Sequence, residues 1–234
     1  MKTILLLGSS GALGSSIYDK LTAVGYSVIC ADCVKVKNIN YFFNATNVDS
    51  VENLFNRLAM DGQQIDCVIN LVGKIHSKPF YNVMEKDRYI DDDIWDDVIL
   101  HNLKSAFNIS REYHKYCTRL KLKCNLVNFS SVTARGNPGQ LIYSVSKAGV
   151  ETLTKTLAKE LGVRGHRFNV ISPGYIDVAS TRQAISDEQA AKIKSRIPSR
   201  KFGDTGSIVE AVKMLIEASY VNGAVIAVDG GYTI

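Results

Sequence analysis

Tyr143 and Lys147 stand four residues apart in the run Tyr143-Ser144-Val145-Ser146-Lys147, where a helical pattern begins. Residues at that spacing share one helical face, so a phenol and an ammonium can meet a common ligand. A free phenol, with a pKa near ~10, is a poor base at neutral pH, and a nearby ammonium favours its ionised form. Such a pair is suited to passing a proton to or from an oxygen. By itself the spacing is common and decides nothing.

A second signal lies at the start of the chain. Gly8-Ser9-Ser10-Gly11-Ala12-Leu13-Gly14 joins an apolar run to a helical pattern. A glycine-rich strand-to-helix turn lets backbone N–H groups approach a pyrophosphate, and the helix N-terminus favours its charge. Asp32 then ends the second apolar run. A carboxylate there accepts hydrogen bonds from a ribose 2′-hydroxyl and repels a 2′-phosphate, which favours NAD over NADP. Lys35 and Lys37 sit close by and temper that preference. Taken singly, the glycines also suit an ordinary turn, and Asp32 a surface position.

The elements that must position these residues are legible as alternating patterns. Strands are expected at Thr3–Leu7, Ser27–Ala31, Tyr41–Phe43, Asp66–Asn70, Asn125–Phe129, Arg167–Ile171 and Ala224–Val228. Each is short and rich in Val, Ile, Leu or Phe with little alternation, as suits strands covered on both faces. Helices are expected at Ala12–Val24, Asp49–Ala59, Ile94–Tyr116, Tyr143–Leu161 and Thr205–Ser219. Asp49 reads as an N-cap, and Gly25 and Gly162 as helix ends. Strand–helix alternation over the whole length implies an α/β fold: one doubly wound, Rossmann-type domain over residues 1–234, its seven-stranded parallel sheet covered by helices on both faces. The long connections Gly73–Asp93 and Pro173–Arg200 follow strands, so both emerge at the carboxyl edge where ligands bind. Residues from about 175 to 200 are expected to form a lid over the substrate.

Composition excludes several other classes. The 234 residues are 46% hydrophobic and 22% charged, with only four prolines, which is ordinary for a globular chain and wrong for a disordered one. The longest apolar run, Ala224–Val228, falls far short of the roughly 20 residues that span a bilayer. Ile4–Leu7 is too short for the apolar core of an export signal, so a cytoplasmic chain with five reduced cysteines is expected. Cys30 and Cys33 form a CxxC with no second pair to complete a metal site, and ordinary packing is the reading. The net charge of +5 is too small to imply nucleic acid. Lys192, Lys194, Arg196, Arg200 and Lys201 form either a solvated helix face or an attractor for an anionic substrate tail. Asp91, Asp92, Asp93, Asp96 and Asp97 suit the positive end of a helix dipole better than a metal. His76, His101, His114 and His166 show no metal or triad spacing, so no metal is expected. Trp95, the only tryptophan, reads as a core anchor.

In combination these pieces resemble the short-chain dehydrogenase/reductase family from Thr3 to Ile234. The resemblance rests on the glycine turn, Asp32, Asn70-Leu71-Val72-Gly73, Asn102 in HNLKSAF, Phe129-Ser130-Ser131, YSVSK and Ser172-Pro173-Gly174-Tyr175-Ile176, with Ile197-Pro198, Phe202-Gly203 and Val228-Asp229-Gly230-Gly231 beyond. It implies hydride transfer between a nicotinamide cofactor and a secondary alcohol or ketone. Tyr143 is then the proton donor or acceptor, and Lys147 lowers its pKa and binds the nicotinamide ribose. A serine ending the fifth strand holds the substrate oxygen, and Asn102 anchors a water in a proton relay. The implied cofactor contacts are Gly8, Ser10, Gly11, Leu13, Gly14, Asp32, Asn44, Ala45, Asn70, Gly73, Tyr143, Lys147, Pro173, Gly174 and Ile176.

Four departures accompany the resemblance. Gly11 rather than Ala12 carries the middle glycine, as in nucleotide-sugar epimerases and dehydratases. Asn-Leu-Val-Gly replaces Asn-Asn-Ala-Gly, and Val178 stands where a threonine often meets the carboxamide. The segment before Tyr143 is one residue short, so counting back points to Ser130. Strand phase points to Ser131, which is the reading adopted. GNPGQ and YSVSKAGV bring general similarity to 3-oxoacyl-carrier-protein reductases, which use NADP. An epimerase or dehydratase, or a non-catalytic dinucleotide-binding protein, are the other readings. The family usually forms tetramers or dimers through two long helices, here Ile94–Tyr116 and Tyr143–Leu161.

Overall fold

The computed structural model describes residues 1–34, 38–84 and 88–233. Lys35 and Lys37, expected to temper the cofactor preference, lie outside the described residues. Seven strands form one parallel sheet: β1 (Thr3–Leu7), β2 (Ser27–Asp32), β3 (Tyr41–Phe42), β4 (Cys67–Asn70), β5 (Asn125–Phe129), β6 (Arg167–Pro173) and β7 (Val225–Val228). Their order is β3-β2-β1-β4-β5-β6-β7, so the chain winds outward from β1 in one direction and then crosses to wind outward from β4 in the other. This is the expected doubly wound fold. The reversal falls between β1 and β4, which opens a crevice at their carboxyl ends.

Leu5 and Leu7 face one side of the sheet and Ile4 and Leu6 the other, all fully buried. A strand's side chains alternate between faces, so an unbroken apolar run means a helix layer on each. On one face Phe55 of α2 (Val48–Met60) meets Ile109, Tyr113 and Tyr116 of α4 (Ser105–Leu120). On the other, Ile17 and Leu21 of α1 (Ala12–Ala23) meet Ile208, Val212 and Leu215 of α8 (Thr205–Glu217). Among the described residues, no helix is long and apolar enough to cross a membrane.

Several local expectations differ from the structure. Asn47, not Asp49, caps α2: its side chain accepts from the Ser50 N–H at 2.8 Å, and Asp49 lies in the first turn. Gly162 does not stop α5 (Leu141–Leu161) with a left-handed turn; the chain runs on as a 3-10 turn to Arg164, and Gly165 takes the positive φ of 77°. Trp95 is no core anchor, being 41% exposed. Cys30 is buried in β2 and Cys33 is exposed. The connection after β6 is not bare loop but carries α6 (Ala179–Ala184) and α7 (Asp187–Arg196), the latter started by a capping box of Ser186 and Gln189.

The helix expected at Ile94–Tyr116 holds the largest difference. It starts as α3 (Asp92–Ile99), capped by the Asp91 carboxylate on the Asp93 N–H. It then widens into a π-turn over Leu100–Lys104 before α4 continues to Leu120. π-turns inside helices often mark functional positions because the extra residue re-aims a side chain. The residue in the middle of this one is Asn102.

Candidate active site

The crevice is a cavity of about 530 Å3 above the carboxyl ends of the central strands. Its floor is the turn between β1 and α1. Gly8 has a φ of 77°, which side chains resist, and a Cβ there would sit 3.1 Å from the Leu71 backbone. Gly14 lies so close to the turn that a Cβ would meet the Gly8 carbonyl oxygen at 2.5 Å. Gly11 is the N-cap of α1 and no side chain caps the helix, so its first N–H groups remain for an anion. This cradle fits a pyrophosphate.

Asp32, at the end of β2, is buried, and its carboxylate gathers four donors. Oδ2 accepts from the Ser10 N–H at 2.9 Å and the Ser10 hydroxyl at 2.7 Å; Oδ1 accepts from the Cys33 and Val34 N–H groups. Burial alone would raise its pKa, but these bonds outweigh it and hold the carboxyl below its usual value. Asp32 is therefore an anion at neutral pH.

At the other end of the cavity, the first turn of α5 brings Tyr143 over the end of β5. Tyr143 is only 8% exposed, and burial pushes its phenol up to about 12, opposed by a hydrogen bond with the Ser131 hydroxyl. Lys147 lies one turn on, its Nζ 5.7 Å from the Tyr143 ring centre and 2.9 Å from the Phe129 carbonyl oxygen to which it donates. Burial lowers the Lys147 ammonium to about 8. The ammonium was expected to pull the phenol down. Without a cofactor, desolvation of the phenol prevails instead.

The two serines ending β5 part company. Ser130 turns away and donates to Glu151 Oε1 at 2.9 Å and to the Lys147 carbonyl oxygen at 3.2 Å. Ser131 turns towards Tyr143, in keeping with strand phase rather than with counting back. Asn102 exchanges a pair of hydrogen bonds with the backbone of Lys74, donating to its carbonyl at 2.9 Å and accepting from its N–H at 2.8 Å. A Cβ on Gly73 would lie 2.6 Å from Asn102 Oδ1 and 3.2 Å from Lys147 Nζ, so glycine lets the two side chains approach.

Of the expected cofactor contacts, Gly8, Gly11, Leu13, Gly14, Gly73, Tyr143, Lys147, Pro173, Gly174 and Ile176 line the cavity. Others do not. Ser10 is taken up by Asp32. Asn70 spans from β4 to β5, donating to Asn128 Oδ1 at 2.9 Å and accepting from the Val72 N–H. Asn44 accepts from Thr46 on the border of a separate groove beside β3, and Ala45 is packed in the core. The sequence reading missed Ile75, Ser77, Val132, Gln140, Thr181, Ile185 and Ile193, which complete the lining. Among the described residues lining it, Lys147 is the one ionic side chain. The basic cluster on and after α7 stays outside, with Lys194 stacked on the Phe202 ring at 5.0 Å.

A cradle for a dinucleotide opening onto a buried tyrosine and lysine defines a nicotinamide-dependent oxidoreductase, and the relatives agree. A family model described as enoyl-(acyl carrier protein) reductase matches residues 29–233. The 3-oxoacyl-[acyl-carrier-protein] reductase FabG of Thermotoga maritima is 32% identical, with 100% of this chain and 98% of that protein aligned. Its namesake from Salmonella typhimurium is 31% identical over 98% of this chain and 96% of its own. The solved structure of 4-hydroxyisoleucine dehydrogenase complexed with NADH superposes with a TM-score of 0.87 at 28% identity, covering 100% of this chain and 99% of that one. The chain belongs to the short-chain dehydrogenase/reductase family. It is an NAD(P)-dependent oxidoreductase that interconverts alcohols and ketones.

Replacing Gly73 by Ala is expected to drive Asn102 and Lys147 apart and lower turnover on the order of 100-fold, the scale of a small misplacement at a reacting centre. Steady-state kinetics beside circular dichroism checks this; full turnover by a natively folded variant contradicts it.

Proposed function

We propose that Tyr143 is the general acid–base of an NAD-preferring ketone reductase or alcohol dehydrogenase, and that the Ser131–Tyr143 hydrogen bond at the mouth of the glycine cradle is the observation that carries this reading. The bound nicotinamide supplies the hydride chemistry. The protein's own part is orientation and proton transfer. Ser131 and Tyr143 both donate to the substrate oxygen, fixing the carbonyl over the cradle. In reduction Tyr143 gives its proton to that oxygen; in oxidation it takes the proton back. Lys147, charged below about pH 8, steadies the phenolate that reduction leaves, and Asn102 beside it holds the inner end of a path to solvent. Gly8, Gly11 and Gly14 hold the pyrophosphate, Gly73, Pro173, Gly174 and Ile176 border the nicotinamide half, and residues 175–200 form the substrate lid.

Tyr143→Phe should lose at least about 100-fold in turnover while still binding NADH, the range for removal of a general acid. The direction of pH dependence follows from the high phenol value. Oxidation needs the phenolate, which is scarce below about 12, so alcohol oxidation should speed up steadily from pH 7 to 10. Ketone reduction uses the protonated phenol and should not. A Tyr143→Phe variant with near-native turnover overturns the assignment.

The ionised, four-times-bonded Asp32 supports NAD over NADP, because a 2′-phosphate beside it meets a fixed negative charge. Fluorescence titration should give tighter binding of NADH than NADPH, and Asp32→Ala should narrow the difference by about tenfold or more. Equal or tighter NADPH binding by the native protein rejects the preference.

Exposed apolar side chains on the two long helices, Leu100, Phe107, Leu141 and Val145, each 39–43% exposed, support a homodimer or homotetramer joined through α4 and α5. Light scattering should find one of these; a monomer at micromolar concentration rejects it.

A further inference from the structure

The two sides of the cavity differ in chemistry. On the β6 side it is lined by Tyr175, Ile176, Val178, Ile185 and Ile193, a largely apolar wall. On the β4 side it is lined by Ser77 and Gln140, which none of the proton-transfer steps uses.

Gln140 is the residue immediately before α5, one turn ahead of Tyr143. Its amide is held from both ends. Asn137 Nδ2 donates to Gln140 Oε1 at 2.9 Å, and Gln140 Nε2 donates to Ser77 Oγ at 2.9 Å. A parallel backbone bridge between Lys78 and Gln140 joins the loop after β4 to the same point. An amide nitrogen carries two hydrogens and a serine hydroxyl can donate as well as accept. Ser77 takes one amide hydrogen. The other, together with the Ser77 hydroxyl proton, remains as a pair of preset donors beside Tyr143, on a wall whose neighbours offer only hydrocarbon.

Donors fixed in an otherwise apolar wall discriminate strongly, because a ligand that lacks the matching acceptor leaves them dehydrated and unpaired. We infer that Gln140 and Ser77 form a second oxygen-binding subsite, which selects ketones and secondary alcohols bearing a further uncharged oxygen on the α or β carbon. The inference rests on the Tyr143 reading for where the reacting carbonyl lies. An uncharged oxygen is specified because no cationic side chain other than Lys147 lines the cavity among the described residues. The hydrocarbon remainder of the substrate lies along the β6 wall.

The test compares matched ketones, because a second oxygen also activates a carbonyl chemically. Acetoin against 2-butanone probes an α oxygen, and ethyl acetoacetate against 2-pentanone probes a β oxygen. For each pair the readout is the ratio of kcat/KM, oxygenated over plain. Gln140→Leu should lower that ratio about 10- to 100-fold in at least one pair, the effect of one or two lost hydrogen bonds, with most of the change in KM. Ser77→Ala, an exposed loop position, should lower it in the same direction by less. The pair that responds identifies the carbon that bears the oxygen. NADH titration of each variant confirms that the fold and cradle are intact.

A ratio unmoved by both substitutions overturns the subsite. So does an equal loss on plain and oxygenated ketones in Gln140→Leu, which would mark a role in bracing the loop, and so does absence of turnover with both oxygenated ketones. Tyr143→Phe on the same panel keeps the two readings apart: if it abolishes turnover while the Gln140→Leu ratio stays put, only the subsite fails.

Discussion

A lysine ammonium withdrawn from water organises this molecule. Lys147 is 5% exposed, and its Nζ donates to one carbonyl, that of Phe129 at the end of β5. Burying a charge with so little compensation is costly, which is why its pKa falls towards 8. The position survives because the surroundings over-determine it. Ser130 grips the lysine's own carbonyl, Gly73 leaves room above it, and Asn102 is brought alongside by a π-turn that an uninterrupted α-helix would not provide. The incompletely solvated ammonium is preset for negative charge on a neighbouring phenol. That arrangement serves a proton transfer better than it serves stability, a trade expected at a functional site.

The two halves of the cavity are built on different physics. The dinucleotide half is backbone: helix N–H groups, a left-handed glycine, and a helix packed so closely on the first turn that one methyl would not fit. The substrate half is side chains on loops and on the lid helices. Backbone geometry is set by the fold and varies little, whereas loop side chains can be exchanged without disturbing the sheet. A family whose members share chemistry and differ in substrate follows from that division.

Much of this was legible in the chain. Unbroken apolar runs such as Thr3–Leu7 announced strands buried on both faces, and their alternation with helical patterns announced a parallel sheet. The glycine turn and Asp32 carried their chemistry in residue type alone, because only glycine tolerates that approach and only an acid supplies that charge. Strand phase turned Ser131, not Ser130, towards the tyrosine. The misreadings share a cause. Asp49 yielded the cap to Asn47, Trp95 was exposed and Asn70 faced the sheet, because several residues of similar type competed and neighbours from elsewhere in the chain decided. Gln140 was visible in GNPGQ but without a role, since the loop that holds it is distant in sequence.

Local sequence therefore determined the fold class, the cradle and the tyrosine–lysine pair, since each depends on spacing within one element or one turn. Tertiary structure alone decided the high phenol pKa, the π-turn at Asn102, the exclusion of the basic cluster from the cavity and the donors beside Tyr143. Those depend on desolvation and on contacts between residues far apart in the chain, which no local pattern encodes.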